Sequence, residues 1–433
     1  MAMDDSSRAT PDRLAPPSDT AEVTDTIGHH PINFTGDGGE YFRVWIVNVL
    51  LSIVTLGIYT PWARRRTVKY FYSHTEVADG PLEFTAKTRS MVVGFLLLAV
   101  IYAAINVASE TGHDVVVGLA MLGGVALAPW LWGKAMRFRL GNTRWRGLRL
   151  QFSASWAEVY RASWPVFALV GLWMVLGFLL ALLAPEVADL AGVATGAAEG
   201  EPKVPTPEIT APMGILLFLG LATSFVLMTR LDYNYKVLLV RRTLIGDQAG
   251  RWHPGFGAFL RIALASLGVF LLSAVLVTLA MMLLGALFGG VQVLMGGTGG
   301  SRTAMVIKAI LIGTVIGLAG FFLSISPALA YREARMFQLL WNGVGVSRIA
   351  RFRTSLGTSA FVWLRIKNVL LTVITLGFYR PFARVNEYRM KAESTMLYLK
   401  GGVEPLVSQL TRQQEQGGFG DAVADALGLD LVG

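Results

Sequence analysis

The connections between six apolar stretches of this chain alternate in charge, and that alternation decides how the polypeptide can be threaded. The stretches run approximately over 91–108, 115–132, 164–184, 213–229, 262–288 and 304–329. Each approaches the ~20 apolar residues that carry a helix across a bilayer's hydrocarbon core. After the second come Lys134, Arg137, Arg139, Arg144, Arg146 and Arg149; after the fourth, Arg230, Lys236, Arg241 and Arg242; after the sixth, Arg332, Arg335, Arg351 and Arg353. The intervening connections differ. Residues 109–114 carry Glu110 and Asp114 and no Lys or Arg; 185–211 carry Glu186, Asp189, Glu199, Glu201 and Glu208 against Lys203; 289–303 are rich in glycine, with Arg302 alone. Basic connections stay cytoplasmic. The six stretches therefore read as three membrane hairpins with their tips pointing outward.

Composition agrees with a lipid solvent. Hydrophobic residues make up 53% of the 433 and charged ones only 15%, against about a quarter charged in ordinary soluble domains. The formal charge of +9 sits beside apolar spans, which points to anionic lipid headgroups on the cytoplasmic side rather than to nucleic acid. Cysteine is absent, so disulfides, thiolate metal sites and cysteine nucleophiles are excluded. Residues 1–33 are polar and rich in Pro, Ser, Thr and Asp, which reads as a disordered cytoplasmic tail. Residues 401–433 read as a flexible C-terminal tail, leaving 34–400 as the membrane domain.

Two shorter segments, about 44–60 and 360–379, fit less easily. Each ends in basic residues, Arg64–Arg66 and Arg380, Arg384, Arg389. If both crossed, the basic C-terminal stretch would lie outside. If both are partly inserted, the charge rule holds throughout, and that reading is preferred. They are also copies of one another. Asn48 to Arg64 aligns without gaps on Asn368 to Arg384, sharing Asn-Val-Leu-Leu, Thr-Leu-Gly, Tyr, Pro and Ala-Arg. Weaker copies lie between them: Pro61, Pro129 and Pro381 are each followed fourteen residues later by a threonine, Thr75, Thr143 and Thr395. Pro327 heads a related stretch, and 230–261 is a degenerate one. One unit reads as an apolar helix, a proline, a basic aromatic helical extension and a β-prone piece. Asp79-Gly80 and Gly147 are turn signals, so short cytoplasmic β-hairpins are expected, associating into a sheet-like layer.

The run from Phe34 to Asn48 (FTGDGGEYFRVWIVN), with Tyr70-Phe-Tyr72, Asn142 to Gly147 (NTRWRG) and the closing Thr-Leu-Gly-Phe-Tyr-Arg-Pro copy, resembles the YjgN family of bacterial inner-membrane proteins. The resemblance covers residues 34–400. The long polar N-terminal tail and the acidic 185–211 segment depart from the family's pattern. It implies a multi-pass membrane protein and carries no catalytic residue over.

Candidate residues are few. The five histidines, His29, His30, His74, His113 and His253, are scattered, and no HExxH, GxSxG, P-loop or GxGxxG motif stands in its required context. The chain is expected to be no enzyme and to use no metal or cofactor. Charges and amides at membrane depth are functional candidates by default, which singles out Asn48, Asn368 and Lys308 for a pathway or for packing between repeats, a structural hydrogen bond being preferred for the asparagines. Gly285 with Gly289 and Gly313 with Gly317 suit close helix packing. Arg64, Arg66, Arg137, Arg144, Arg146, Arg241, Arg335 and Arg384 form a basic belt, read first as membrane anchoring and alternatively as anionic-lipid contacts. The resulting expectation is an all-α polytopic protein with six transmembrane helices, two partly inserted or spanning repeat helices and short β-hairpins. Its function is read as translocation of a small solute, ion or lipid, or alternatively as a non-transporting scaffold that organises lipid.

Overall fold

The computed structural model describes residues 27–183, 210–246, 248–287, 302–346 and 350–412. The expectations for 1–26, for most of the acidic segment, for the glycine-rich turn and for 413–433 lie outside the described residues, as do the packing of Gly285 and the side chain of Lys308.

The chain repeats one supersecondary unit, helix–helix–strand–strand. Unit one is α1 (Gly38–Val54), α2 (Thr60–Ser73), β2 (Thr75–Val77) and β3 (Gly80–Phe84). Unit two is α3 (Thr88–Glu110), α4 (Asp114–Gly141), β4 (Thr143–Trp145) and β5 (Leu148–Phe152). Unit three prefixes the short α5 (Trp156–Ala162) to α6 (Trp164–Leu183), then continues with α7 (Ala211–Arg242), β6 (Thr243–Ile245) and β7 (Gln248–Arg251). Unit four is α8 (Phe256–Leu287), α9 (Arg302–Trp341), β8 (Gly345–Val346) and β9 (Ala350–Thr354). Unit five is α10 (Thr358–Ile374), α11 (Arg380–Glu393) and β10 (Thr395–Lys400). Its second strand is β1 (Ile27–Phe34), supplied from the other end, with Ile27 opposite Lys400 and Pro31 opposite Met396.

The strands close into one antiparallel barrel in the order β1-β10-β9-β8-β7-β6-β5-β4-β3-β2. This corrects the all-α expectation. The hairpins do not lie as a loose layer; they share edges until none is left, which satisfies the backbone of strands too short to stand alone. The seams between units repeat one bond. The amides of Thr35, Thr85, Ser153 and Ser355 donate to the carbonyls of His74, Asn142, Arg242 and Ser394 at 3.0, 2.9, 2.9 and 2.8 Å. Each of those carbonyls immediately precedes a strand-opening threonine. Thr75, Thr143, Thr243 and Thr395 in turn donate their hydroxyls to helix carbonyls four residues back, at 2.6–2.9 Å. Two-residue turns with left-handed backbone, Ala78-Asp79 and Arg146-Gly147, join the hairpins.

Because all strands share one barrel, every helix pair must leave and return to the same side. Among the described residues five helices are long and apolar enough to cross a membrane, Thr88–Glu110, Asp114–Gly141, Trp164–Leu183, Ala211–Arg242 and Phe256–Leu284. The expected sixth span, 304–329, falls in α9, whose N-terminal half is only partly described. The proline of the repeat is buried in four units, at Pro61, Pro129, Pro327 and Pro381; counting fourteen residues back from Thr243 reaches Thr229, also buried, in the degenerate unit.

Candidate functional site

Successive strand residues face opposite ways, and here the inward set is apolar. Ile32, Val77, Leu82, Trp145, Leu150, Ile245, Phe352, Leu397 and Leu399 line a cavity of about 390 Å³ inside the barrel. The lumen-facing threonines add little polarity, since Thr75, Thr143 and Thr395 spend their hydroxyl protons on helix carbonyls. The outward set is charged, with Arg144, Arg149, Arg351, Arg353 and Lys400 exposed. Arg144 pairs in register with Arg149 on one side and Glu83 on the other.

Side chains pack across both ends of the lumen. At the end bearing the hairpin turns, residues 403–412 are helical and lay Val403 and Leu406 against Ala78, Ala350, Leu397 and Leu399, with Leu410 buried beyond them. Arg146 holds this segment, its Nη1 2.5 Å from Glu404 Oε1 while its Nη2 donates to the Ala78 carbonyl at 2.7 Å. At the helical end the floor is aromatic. Phe34, Tyr41, Tyr70 and Phe71 cluster with Tyr388, whose hydroxyl lies 2.8 Å from Thr75 Oγ1. Tyr70 donates to the Asp37 carbonyl at 2.8 Å, and burial, with the Glu40 carboxylate beside it, pushes its phenol up to about 12.

A polar network flanks that floor. Arg365 bridges Glu333 and Glu387, Lys391 Nζ reaches Glu333 Oε1 at 2.6 Å, and Asn368 Nδ2 donates to Glu387 Oε1 at 3.0 Å. Burial raises the Glu387 carboxyl above its ordinary range while Arg365 pulls it back. Shifting by the 320 residues that relate the two copies places Trp45, Thr67 and Phe71 opposite Arg365, Glu387 and Lys391. Only the asparagine is common to both. Among the described residues that line the cavity, Lys391 is the sole charged one.

The residues singled out in the sequence do not converge on one site. Asn48 donates to the Ala63 carbonyl at 3.4 Å and Asn368 to the Ala383 carbonyl at 3.2 Å. Each closes its own helical hairpin instead of bridging to the other copy, and each Oδ1 is buried without a partner. Lys308 lies in α9, its side chain outside the described residues. The arginine belt divides. Arg137 donates to the Ala154 carbonyl at 2.8 Å and stacks 4.0 Å over Trp156. Arg241 donates to the Trp252 carbonyl at 3.1 Å, Arg335 to Gln338 Oε1 at 3.1 Å, and Arg384 to the Tyr41 hydroxyl at 3.3 Å. Arg64, Arg66 and Arg144 are exposed, Arg66 lying over the Tyr59 ring. Arg137 belongs to a repeated clamp, with Arg65 on Ala86, Arg389 on Gly36 and Gln338 on Leu356 making the equivalent bond across a unit seam. Gly313 and Gly317 meet nothing closely; helices α8 and α9 approach at Gly320 and Val277 and through Ser273 and the Ser324 carbonyl.

Sequence reasoning missed the lumen. Its signal was present as alternation in Leu148-x-Leu150-x-Phe152 and Thr395-x-Leu397-x-Leu399, but each run spans only five residues. Ile32 and Phe34 straddle the boundary drawn for the polar tail.

A repeat that closes a barrel through its two outer copies requires similarity along nearly the whole chain. Residues 29–426 match the family described as bacterial protein of unknown function (DUF898). The chain belongs to this family. Curated relatives of the DUF898 chain include the inner membrane protein YjgN of Salmonella typhimurium strain LT2, 33% identical over 148 residues, which are 34% of this chain and 36% of that protein. The inner membrane protein YjgN of Escherichia coli K12 is 30% identical over 129 residues, 30% of this chain and 32% of that one. The matches thus span about a third of each relative's length. No solved structure matches the chain. Five apolar helices and these relatives place this DUF898 protein in the inner membrane as a multi-pass protein.

Proposed function

We propose that the barrel is a binding chamber for the apolar tail of a membrane lipid, and that the protein holds or organises lipid without transforming it. The observation that carries this is the apolar cavity of about 390 Å³ inside the barrel. That volume lies within the ~300–1,000 Å³ typical of small-molecule pockets. Apolar cavities stay dry and take up apolar molecules. An acyl chain is the apolar molecule most abundant near a barrel whose helical hairpins enter the membrane. Of the three residues read as candidates for a translocation pathway, Asn48 and Asn368 spend their amides inside their own hairpins, and the side chain of Lys308 lies outside the described residues.

The test is reconstitution with a trace of phospholipid carrying a photoactivatable group in its tail, followed by mapping of the labelled peptides. Labelling of β5, β9 and β10 is expected, and Ala350→Phe, which fills the lumen, should reduce it severalfold. Label confined to the membrane spans, or unaffected by the substitution, would rule the reading out.

A further inference from the structure

The helical hairpins of units one and five differ from the others in length and in what their tips expose. In unit two, α4 begins fifteen residues before Pro129; in unit four, α9 begins twenty-five before Pro327. At 1.5 Å per residue these are extensions of ~22 and ~38 Å beyond the buried proline. In units one and five the second helix begins one residue before Pro61 and Pro381. The short hairpins therefore end within a few residues of the buried proline.

Their tips are built alike. Thr55 and Thr375 each donate to a carbonyl four residues back at 2.7 Å and accept from the amides of Tyr59 and Tyr379 at 3.0 Å. Leu56 and Leu376 stand in left-handed backbone at φ 49° and 51°. A leucine there is strained relative to right-handed conformations, and a turn facing water favours Gly, Asn or Asp at such a position. Both leucines are nevertheless almost fully exposed, at 94% and 87%, beside exposed Val54, Ile58, Ile374 and Phe378. The two hairpins stand side by side, Phe42 stacking on Phe382 at 5.7 Å and Trp45 meeting Phe378 at 6.4 Å. Behind the tips Arg43, Arg64, Arg66, Arg380 and Arg384 are exposed, and among the described residues none is in an ion pair with a carboxylate.

We propose that these two hairpins form a paired wedge, inserted partway into the leaflet on the barrel's side and held by anionic phospholipid headgroups at its arginine collar. Strained leucines at a tip are stabilised by burial among acyl chains, and a cationic collar a few residues behind them matches the depth of the phosphates. The inference does not depend on the content of the barrel.

The chain lacks cysteine, so single labelling sites need no background removal. Leu56→Cys and Leu376→Cys, carrying a fluorophore, would be compared with Val100→Cys in the middle of α3. Each full-length protein would be reconstituted in vesicles whose lipids are brominated near the headgroup or near the chain end. Both tips should be quenched severalfold more by the shallow bromines, and Val100→Cys by the deep ones. Removing phosphatidylglycerol from the vesicles should weaken the tip quenching at least twofold. Tips quenched like Val100→Cys would mean full crossing, and unquenched tips would mean water or a protein partner; either result overturns the wedge. Equal tip quenching with and without phosphatidylglycerol overturns the collar.

Discussion

Arg146 Nη1 lies 2.5 Å from Glu404 Oε1 although 258 residues separate them, and this contact fastens the helical segment 403–412 over one mouth of the barrel. The Glu404 side chain is 79% exposed, so the pair contributes less than ~1 kcal/mol. Glu404→Gln should raise amide exchange within 403–412 up to about fivefold and leave the strands unchanged. Hydrogen exchange read by mass spectrometry checks it; uniform acceleration across β9 and β10 would show that the segment is part of the barrel's fold and no separate closure.

Asn368 and Asn48 occupy the same place in the two copies, but only Asn368 also supports a carboxylate. Asn368→Leu removes two bonds from a residue 2% exposed and leaves Glu387 short of a donor. A loss of ~1–3 kcal/mol is expected. Asn48→Leu removes a single 3.4 Å bond and should cost clearly less. Thermal unfolding of the two variants in one bilayer system ranks them, and equal losses would contradict the assignment.

Glu387 sets a pH dependence of known sign. Glutamate ordinarily titrates near 4.5, and burial raises this one. Above 4.5 the folded protein holds a proton that the unfolded chain has released, so this group's contribution is full in acid and falls as pH rises through the raised value. Asp37 acts oppositely. The Gly39 and Glu40 amides hold its carboxyl below 3.8, so its contribution is full above that value and is lost as pH falls towards the native one. Glu387→Gln should flatten the decline of melting midpoint above pH 4.5 and leave the steeper acid limb in place.

Arginines of the belt should separate by experiment into clamps and surface charges. Arg137→Ala breaks a charged hydrogen bond and a stack on Trp156, with an expected loss of ~1.5–3 kcal/mol. Arg144, outward on β4, should change stability by no more than ~0.5 kcal/mol when replaced by alanine. Melting curves of both variants distinguish these outcomes.

Gly250 sits at a short seam. A Cβ there would sit 2.2 Å from the Val240 carbonyl oxygen, and among the described residues β7 is joined to β8 by two residue pairs. Gly250→Ala should cost ~1–3 kcal/mol and expose the 243–251 hairpin to proteolysis first. Limited digestion followed by peptide mapping reads this directly.

The membrane helices were legible because apolar length and loop charge are summed over many residues. The repeat was legible wherever side chains serve the same backbone purpose, as Pro61 and Pro381 or Thr75 and Thr143 do. The barrel was not. Its strands are two to eight residues long, and closure depends on pairing β1 with β10 across more than 360 residues, which no local pattern encodes. Glu333 and Glu387 were overlooked for a similar reason, since only the folded chain brings them to Arg365. Asn48 and Asn368 stood out as a pair because the repeat aligns them, while the partners of each were visible only in three dimensions.

Pairing of β1 with β10 also sets an order of events. Four units can pair with their neighbours as they emerge from the ribosome, yet the circle stays open until residue 400 is made. During that interval the first strand has a bare edge and the lumen has a slot along its side. A hydrophobic guest could be enclosed during biosynthesis without ever passing through either mouth of the finished container.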